Sequence, residues 1–256
     1  MSGWMRLMAC MLAPALWTNP AAGQVVATGQ LSAFVNWDYH HRKPLQGARS
    51  TALAIQATLN QWKGASAAPV MLENGTPEQM GSFLKNLPAG ALVYLASHQS
   101  PVADWDFTQK KLVNLGELLP ANVVPDKNRI VILDACFAES VGQLPGWKVF
   151  APNCLMAGKA GEETFELELF TRRPVEFEAR YPEEVAWLKQ RLPEKWNGRI
   201  TFLGLMWIRA FLQTPSAPKS MQDWRNFFGK IQTAAAEFRA KRASKLASTP
   251  VFYFSE

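Results

Sequence analysis

RIVILDACFA, residues 129–138, is the stretch that decides the fold. Its first half is a continuous run of β-branched and aliphatic residues, which is typical of a strand buried on both faces of a parallel sheet. The run ends at an acid, Asp134, and two residues later the chain reaches Cys136. A buried cysteine is usually inert. A thiol at the end of such a strand, where the chain turns, can instead be a nucleophile, so the rest of the sequence must decide its role.

The same pattern of apolar runs occurs elsewhere in the first half of the chain. Four further strands are predicted: LSAFVNW (31–37), APVMLE (68–73), ALVYLAS (91–97) and WKVFAPNC (147–154). Between them, residues 48–62 place apolar side chains at three- and four-residue steps, which indicates an amphipathic helix. Thr76, Pro77 and Gln79 form the start of another helix, with a capping box. Strands that alternate with helices predict a three-layer α/β/α sandwich with a mainly parallel central sheet.

The second half of the chain is richer in helix. Predicted elements there are a strand pair in 163–182, helices in 183–192, 201–213 and 221–246, and a closing strand in STPVFYF (248–254). Residues 99–111, which follow ALVYLAS, predict a long polar loop. Within that loop Asp104 and Asp106 flank Trp105, and a solvated position is expected for them.

Composition and the N-terminus indicate an exported globular protein. Of the 256 residues, 48% are apolar and 19% are charged, which suits one domain over residues 24–256. Residues 1–23 have the layout of a secretory signal: Arg6, a short apolar run, then small residues. Export to the periplasm or the extracellular space is therefore expected, without a stable membrane anchor after cleavage. An N-terminal anchor that is not cleaved stays open as the alternative. The net charge is +6, but the basic stretch 238–245 indicates a solvated helix face rather than a nucleic-acid partner.

Two reactive side chains follow predicted parallel strands. His98 comes directly after ALVYLAS and Cys136 directly after RIVILDA. Functional groups gather beyond the carboxyl ends of such strands, so adjacent strands would bring the imidazole and the thiol close together. A base beside the thiol favours the nucleophilic thiolate. If residues 137–144 begin a helix, its N-terminus also lowers the pKa of the thiol.

The order of these motifs resembles the caspase, metacaspase, legumain and gingipain group of cysteine peptidases. The matching features are Ser-His after one strand and Asp-Ala-Cys after another, roughly forty residues later. PLQGARSTALAIQATL (44–59) is similar to the family's first loop and helix, and STPVFYF to its closing strand. The resemblance covers residues 31–154 and the last few residues, and it implies a caspase-like fold.

The resemblance also implies roles for single residues. Cys136 would be the nucleophile and His98 the general acid and base of a peptidase acting on peptides or proteins. Asp134 matches an acid in the pocket for a basic residue before the scissile bond. Gln99 stands where the family has a glycine whose N–H joins the oxyanion hole, and Thr51 stands where it has a second pocket acid.

Two other interpretations of Cys136 stay open. The chain can be an inactive caspase-like domain that binds a partner through the same cleft. Alternatively, Cys136 and Cys154 can form a disulfide, since both lie at ends of predicted strands and exported proteins keep such bonds. No cofactor or metal site is predicted, because the adjacent residues His40 and His41 point apart on an extended chain. The sequence does not indicate the oligomeric state.

Overall fold

The computed structural model describes ten parts of the chain. These are residues 29–38, 45–97, 104–107, 111–114, 118, 129–135, 148–152, 178–192, 199–240 and 252–255. The strands are β1 (Leu31–Val35), β2 (Val70–Glu73), β3 (Leu92–Ala96), β4 (Asp104–Asp106), β5 (Leu112–Asn114), β6 (Ile130–Asp134), β7 (Lys148–Pro152) and β8 (Phe252–Ser255). The helices are α1 (Gln46–Lys63), α2 (Pro77–Lys85), α3 (Pro182–Arg191), α4 (Phe202–Leu212) and α5 (Met221–Ala240).

A six-stranded sheet in the order β2-β1-β3-β6-β7-β8 forms the centre of the fold. Its first five strands are parallel, and β8 runs antiparallel to β7. The prediction of a mainly parallel sheet is confirmed, and so is the closing strand. β3 and β6, the strands that precede His98 and Cys136 in the chain, are direct neighbours.

The two faces of the sheet bury different partners. On one face, alternate strand residues such as Tyr94 and Ile132 join a core with α1, α3, α4 and α5. On the other face, Val93 and Leu133 join a smaller core with Met80 and Leu84 of α2 and with Trp105. Because both faces are covered, every residue of β3 and β6 is buried, which explains their continuous apolar sequence.

The N-terminal ends of α2 and α1 differ in how they are capped. The Thr76 side chain accepts the N–H of Gln79, and the Gln79 side chain accepts the N–H of Thr76, so the predicted capping box is confirmed. α1 includes the whole predicted range 48–62, but it begins without a side-chain cap. It ends at Gly64, which adopts φ 61° and closes the helix in the left-handed conformation.

α4 is the buried centre of the helical layer. Nine of its eleven residues are buried, and it packs between α1 and α5. Its Trp207 contacts the ring of Phe227 edge-on, with centroids 4.7 Å apart, and its indole N–H donates to Thr58. A helix that is apolar nearly all round must be enclosed in this way, which accounts for the sequence TFLGLMWIRAFLQ.

The region after β3 differs from the predicted polar loop. Residues Asp104–Asp106 and Leu112–Asn114 pair as a short antiparallel hairpin, outside the main sheet. Trp105 is fully buried and Asp106 is 1% exposed, so the solvated position expected for Asp106 was wrong. The indole supplies the apolar area that holds the hairpin on the core.

Several predictions fall outside the described residues. These are the signal at 1–23, most of the strand pair in 163–182, and the last residues of the helix predicted over 221–246. In the described end of that strand pair, residues 178–180 are helical, so the strand prediction was wrong there. Among the parts of the chain that the structure describes, no helix is both long and apolar enough to cross a membrane.

Candidate functional site

The carboxyl edge of the sheet is where the sequence places the reactive residues. Ala96, the last residue of β3, is in register with Asp134, the last residue of β6. His98 and Cys136 each follow two residues later in the chain, but both lie outside the described residues, as does Gln99. The two strands are adjacent and parallel, as the predicted dyad requires, while the approach of imidazole and thiol stays a prediction.

Asp134 is the one candidate residue that the structure describes. It is 6% exposed, and its carboxylate lies on the same face of the sheet as Tyr94. The Tyr94 hydroxyl donates to Asp134 Oδ2 at 2.6 Å. The Thr201 hydroxyl donates to the same oxygen, also at 2.6 Å. Both distances are short, as is typical of hydrogen bonds to a charged acceptor.

Thr201 connects this carboxylate to the start of α4. It is the N-cap of the helix, and its Oγ1 accepts the N–H of Gly204 at 3.0 Å. The same oxygen lies 2.9 Å from Thr51 Oγ1, and the Thr201 N–H donates to Thr51 Oγ1 at 3.1 Å. Thr51 in turn reaches the carbonyl of Gly47 at 2.9 Å. The hydroxyl cluster, defined as Thr51, Tyr94 and Thr201, therefore joins α1, β3 and α4 around Asp134.

Gly204 allows the close approach of α1 and α4 at this cluster. A Cβ at this position would overlap the Thr51 side chain and lie 2.7 Å from Ile200 Cγ1. Any larger residue would therefore push apart the two helix starts that carry Thr51 and Thr201. The glycine is explained by space rather than by backbone conformation.

The number of protons in the cluster favours an ionised Asp134. Two hydroxyl protons, from Tyr94 and Thr201, already point at Oδ2. A protonated carboxyl would add a third proton without adding an acceptor. Burial opposes ionisation, because it raises the pKa of Asp134 above its ordinary value. The hydrogen bonds from Thr201 and Tyr94 act in the other direction and lower that pKa, by less than burial raises it. Among the described residues no cationic side chain contacts the carboxylate.

Tyr94 is a hydrogen-bond donor at all physiological pH values. It is fully buried. Burial, and next the charge of Asp134, raise the pKa of Tyr94 well above its ordinary value. The phenol therefore stays protonated, and its O–H donates a hydrogen bond to the carboxylate.

A second acid lies at the same sheet edge, on the outer strand. Glu73, the last residue of β2, accepts the indole N–H of Trp37 at 2.7 Å and the Nε–H of Arg49 at 3.0 Å. Next to it, Asn74 has a positive φ of 52°, and its side chain accepts the N–H groups of Trp37 and Asp38. These bonds fix the chain leaving β1 against β2, so the role of Glu73 is structural.

The hairpin of β4 and β5 contacts the chain where it leaves β3, at the carboxyl edge of the sheet. The Ser97 hydroxyl donates to the carbonyl of Asp106 at 2.5 Å, which fixes the chain directly before His98. Lys111 pairs with Glu78 at 2.7 Å and connects the hairpin to α2. The backbone on the amino side of His98 is thus anchored by both strand pairing and a side-chain bond.

Metal binding has no support in the described part of the chain. No group of three or more His, Cys, Asp or Glu residues there is arranged to hold an ion. His40, His41 and Cys154 lie outside the described residues, so the expected loop histidines and the alternative disulfide stay predictions.

Sequence reasoning missed Tyr94 and Thr201. Tyr94 stands in the apolar run ALVYLAS, where an aromatic residue indicates core packing. Thr201 precedes the apolar run of α4, a signal from which its capping role could have been found. Neither signal identifies Asp134 as the common acceptor, because the partners are 40 and 67 residues apart in the chain.

Comparison with known proteins supports the fold. The chain is similar to the crystal structure of caspase-1 from Spodoptera frugiperda, with a TM-score of 0.50 and 9% sequence identity. The similarity covers 89% of this chain and 86% of that chain. No family model matches the sequence, and no curated protein matches it either. The chain thus has a caspase-like α/β fold, in agreement with the mainly parallel sheet.

Proposed function

We propose that this protein is a cysteine endopeptidase in which Cys136 and His98 hydrolyse peptide bonds. The observation that carries the proposal is the pairing of β3 with β6, parallel and with Ala96 opposite Asp134. The chain reaches His98 and Cys136 the same number of residues beyond that registered pair. Neighbouring strands are about 4.8 Å apart, so a dyad is compatible with this arrangement.

The proposed reaction has two halves. The Cys136 thiolate attacks the peptide carbonyl carbon, and the C–N bond then breaks while protonated His98 gives its proton to the leaving amine. Water next attacks the thioester, His98 takes a proton from that water, and the acid product leaves with the thiolate restored. The N–H groups of Cys136 and Gln99 would stabilise the negative oxygen, because both are expected beside it.

Asp134 supplies the proposed contact to the substrate. Its carboxylate is buried, and the described residues around it offer two hydroxyl donors but no positive charge. A buried carboxylate without a counter-ion is stabilised by a cation that reaches it. A basic side chain before the scissile bond would provide one.

Labelling and turnover test the dyad together. Iodoacetamide should alkylate Cys136 faster than Cys154 near neutral pH, and His98→Ala should slow that reaction because it removes the base. Cys136→Ala should abolish cleavage of a mixed-sequence fluorogenic peptide library, whereas Cys154→Ala, the matched control, should keep it. Equal labelling of Cys136 with and without His98 would contradict the coupled pair. A mass spectrum without free thiols would show the disulfide instead.

Gln99 favours a second candidate function. The family that the sequence resembles has glycine there, and the bulk of a glutamine side chain beside the oxyanion position can block the tetrahedral intermediate. If the side chain blocks the site in this way, the protein is a non-catalytic domain that binds peptides through the same cleft. Cys136→Ala with its full biological effect retained would support this candidate over the peptidase.

A further inference from the structure

The two oxygens of the Asp134 carboxylate have different surroundings. Oδ2 accepts the hydroxyls of Tyr94 and Thr201, both at 2.6 Å. The residues that the structure describes place no donor on Oδ1. Asp134 keeps 6% of its surface exposed, and the approach of a small polar group to the second oxygen belongs to the proposal below.

This asymmetry matters because lysine and arginine bind carboxylates differently. Each carboxylate oxygen has about two acceptor sites, and on Oδ2 both are occupied by hydroxyl protons. Arginine binds most strongly through two parallel N–H bonds, one to each oxygen. Lysine carries a compact ammonium that binds a single oxygen equally well. At Asp134 the two-oxygen mode of arginine is closed, so both side chains are limited to one oxygen, where the compact charge of the ammonium has the advantage over the delocalised charge of the guanidinium.

The two donors cannot easily move away to admit arginine. Tyr94 is fully buried within β3, between β1 and β6. Thr201 is held as the N-cap of α4 by the N–H of Gly204 and by Thr51. Rotating its side chain about Cα–Cβ to move Oγ1 away from Oδ2 would also break the cap, at a cost of about 1 kcal/mol.

We propose that Tyr94 and Thr201 make the site at Asp134 selective for lysine over arginine in the position before the scissile bond. The inference rests on the proposed peptidase function and specifies its substrate. Tyr94 and Thr201 act through Asp134, so they are positioning residues rather than catalytic ones.

Two peptides that differ only in Lys or Arg before the cut test the proposal on the full-length protein. We expect kcat/KM to favour lysine by about tenfold, the effect of losing roughly one charge-assisted hydrogen bond. Thr201→Val frees part of Oδ2 and should bring the ratio close to one, mainly through a lower KM for the arginine peptide. Thr201→Ser should keep the wild-type ratio, and so should the control Thr76→Val, which removes an N-cap far from Asp134 along the chain.

A second variant and a binding measurement separate the possible failures. If Thr201→Val does not fold, Tyr94→Phe removes the other donor without affecting a helix cap, and the same shift is expected. If the wild type cleaves neither peptide, the peptidase proposal fails. The selectivity is then decided by calorimetric binding of both peptides to Cys136→Ala. Equal binding, tighter arginine binding or no binding would overturn the inference, as would a wild-type ratio that favours arginine.

Discussion

Thr201→Val removes one hydroxyl that has two structural roles. That hydroxyl caps α4 through the N–H of Gly204 at 3.0 Å. It also donates to the buried Asp134 carboxylate at 2.6 Å. Valine has nearly the same shape, so the substitution removes the bonds without opening a large cavity.

The expected loss of stability is the sum of the two roles. A threonine N-cap contributes about 1 kcal/mol. A hydrogen bond to a charged group contributes about 1.5–3 kcal/mol, and its loss here also leaves a buried acceptor less satisfied. Thr201→Val should therefore lower the free energy of unfolding by about 2.5–4 kcal/mol.

Thr76→Val is the matched control. Thr76 is likewise an N-cap threonine, and it accepts the N–H of Gln79 at 3.2 Å, but the bond is exposed and involves no buried acid. Its replacement should lower the free energy of unfolding by about 1 kcal/mol, the contribution of the cap alone. The difference between the two variants measures the bond to Asp134 together with the contact to Thr51.

Urea unfolding at pH 7 and at acid pH measures this difference. At neutral pH the loss for Thr201→Val should exceed the loss for Thr76→Val by about 1.5–3 kcal/mol. Since burial raises the pKa of Asp134, protonation at acid pH turns the bond into a neutral one, and the excess should shrink. Thr201→Ser should restore most of the stability. Equal losses in the two valine variants would refute the description of Asp134 as a charged acceptor.

Two further predictions concern the same cluster. Because burial raises the pKa of Asp134, the folded state binds its proton more tightly than the unfolded state does. The carboxyl therefore stabilises the fold below its ordinary value of 3.8, and this contribution is lost as pH rises through the folded pKa. As pH rises from 3 to 7, the melting temperature of the wild type should lose this contribution, whereas the melting temperature of Asp134→Asn should not. Parallel curves of melting temperature against pH would contradict the raised pKa of Asp134. Gly204→Ala should lower the free energy of unfolding by about 1–3 kcal/mol through overlap with Thr51. Gly229→Ala in α5, where a Cβ meets nothing within 4 Å, should raise the free energy of unfolding by about 0.5–1 kcal/mol. If both glycine variants lost a similar amount of stability, the contact between α1 and α4 would not be the cause of the loss in Gly204→Ala.

The central sheet could be predicted because its signals are local. β3 and β6 are short apolar runs, and continuous rather than alternating hydrophobicity indicates that both of their faces are buried. The capping box of α2 needs only residues 76–79, which are adjacent in the chain. The adjacency of β3 and β6 was only a condition of the predicted dyad, and the structure shows that the condition is met.

The hairpin and the hydroxyl cluster could not be predicted because they depend on distant contacts. Residues 99–111 have a polar composition, yet Trp105 and Phe107 are fully buried and hold part of that segment in the core. Tyr94 and Thr201 meet only because β3 and the start of α4 both reach the end of β6. The family resemblance predicted Asp134 as a pocket acid, but the sequence contained no signal for the donors that occupy one of its oxygens.

Thr201 couples the stability of the fold to the proposed specificity, so one variant cannot separate the two. A lower kcat/KM in Thr201→Val could come from a frayed α4 as well as from a freed Oδ2. Tyr94→Phe removes a donor from the same oxygen and leaves the cap of α4 intact. A shift toward arginine that appears in both variants, while only Thr201→Val frays the helix, therefore assigns the selectivity to the carboxylate rather than to the helix.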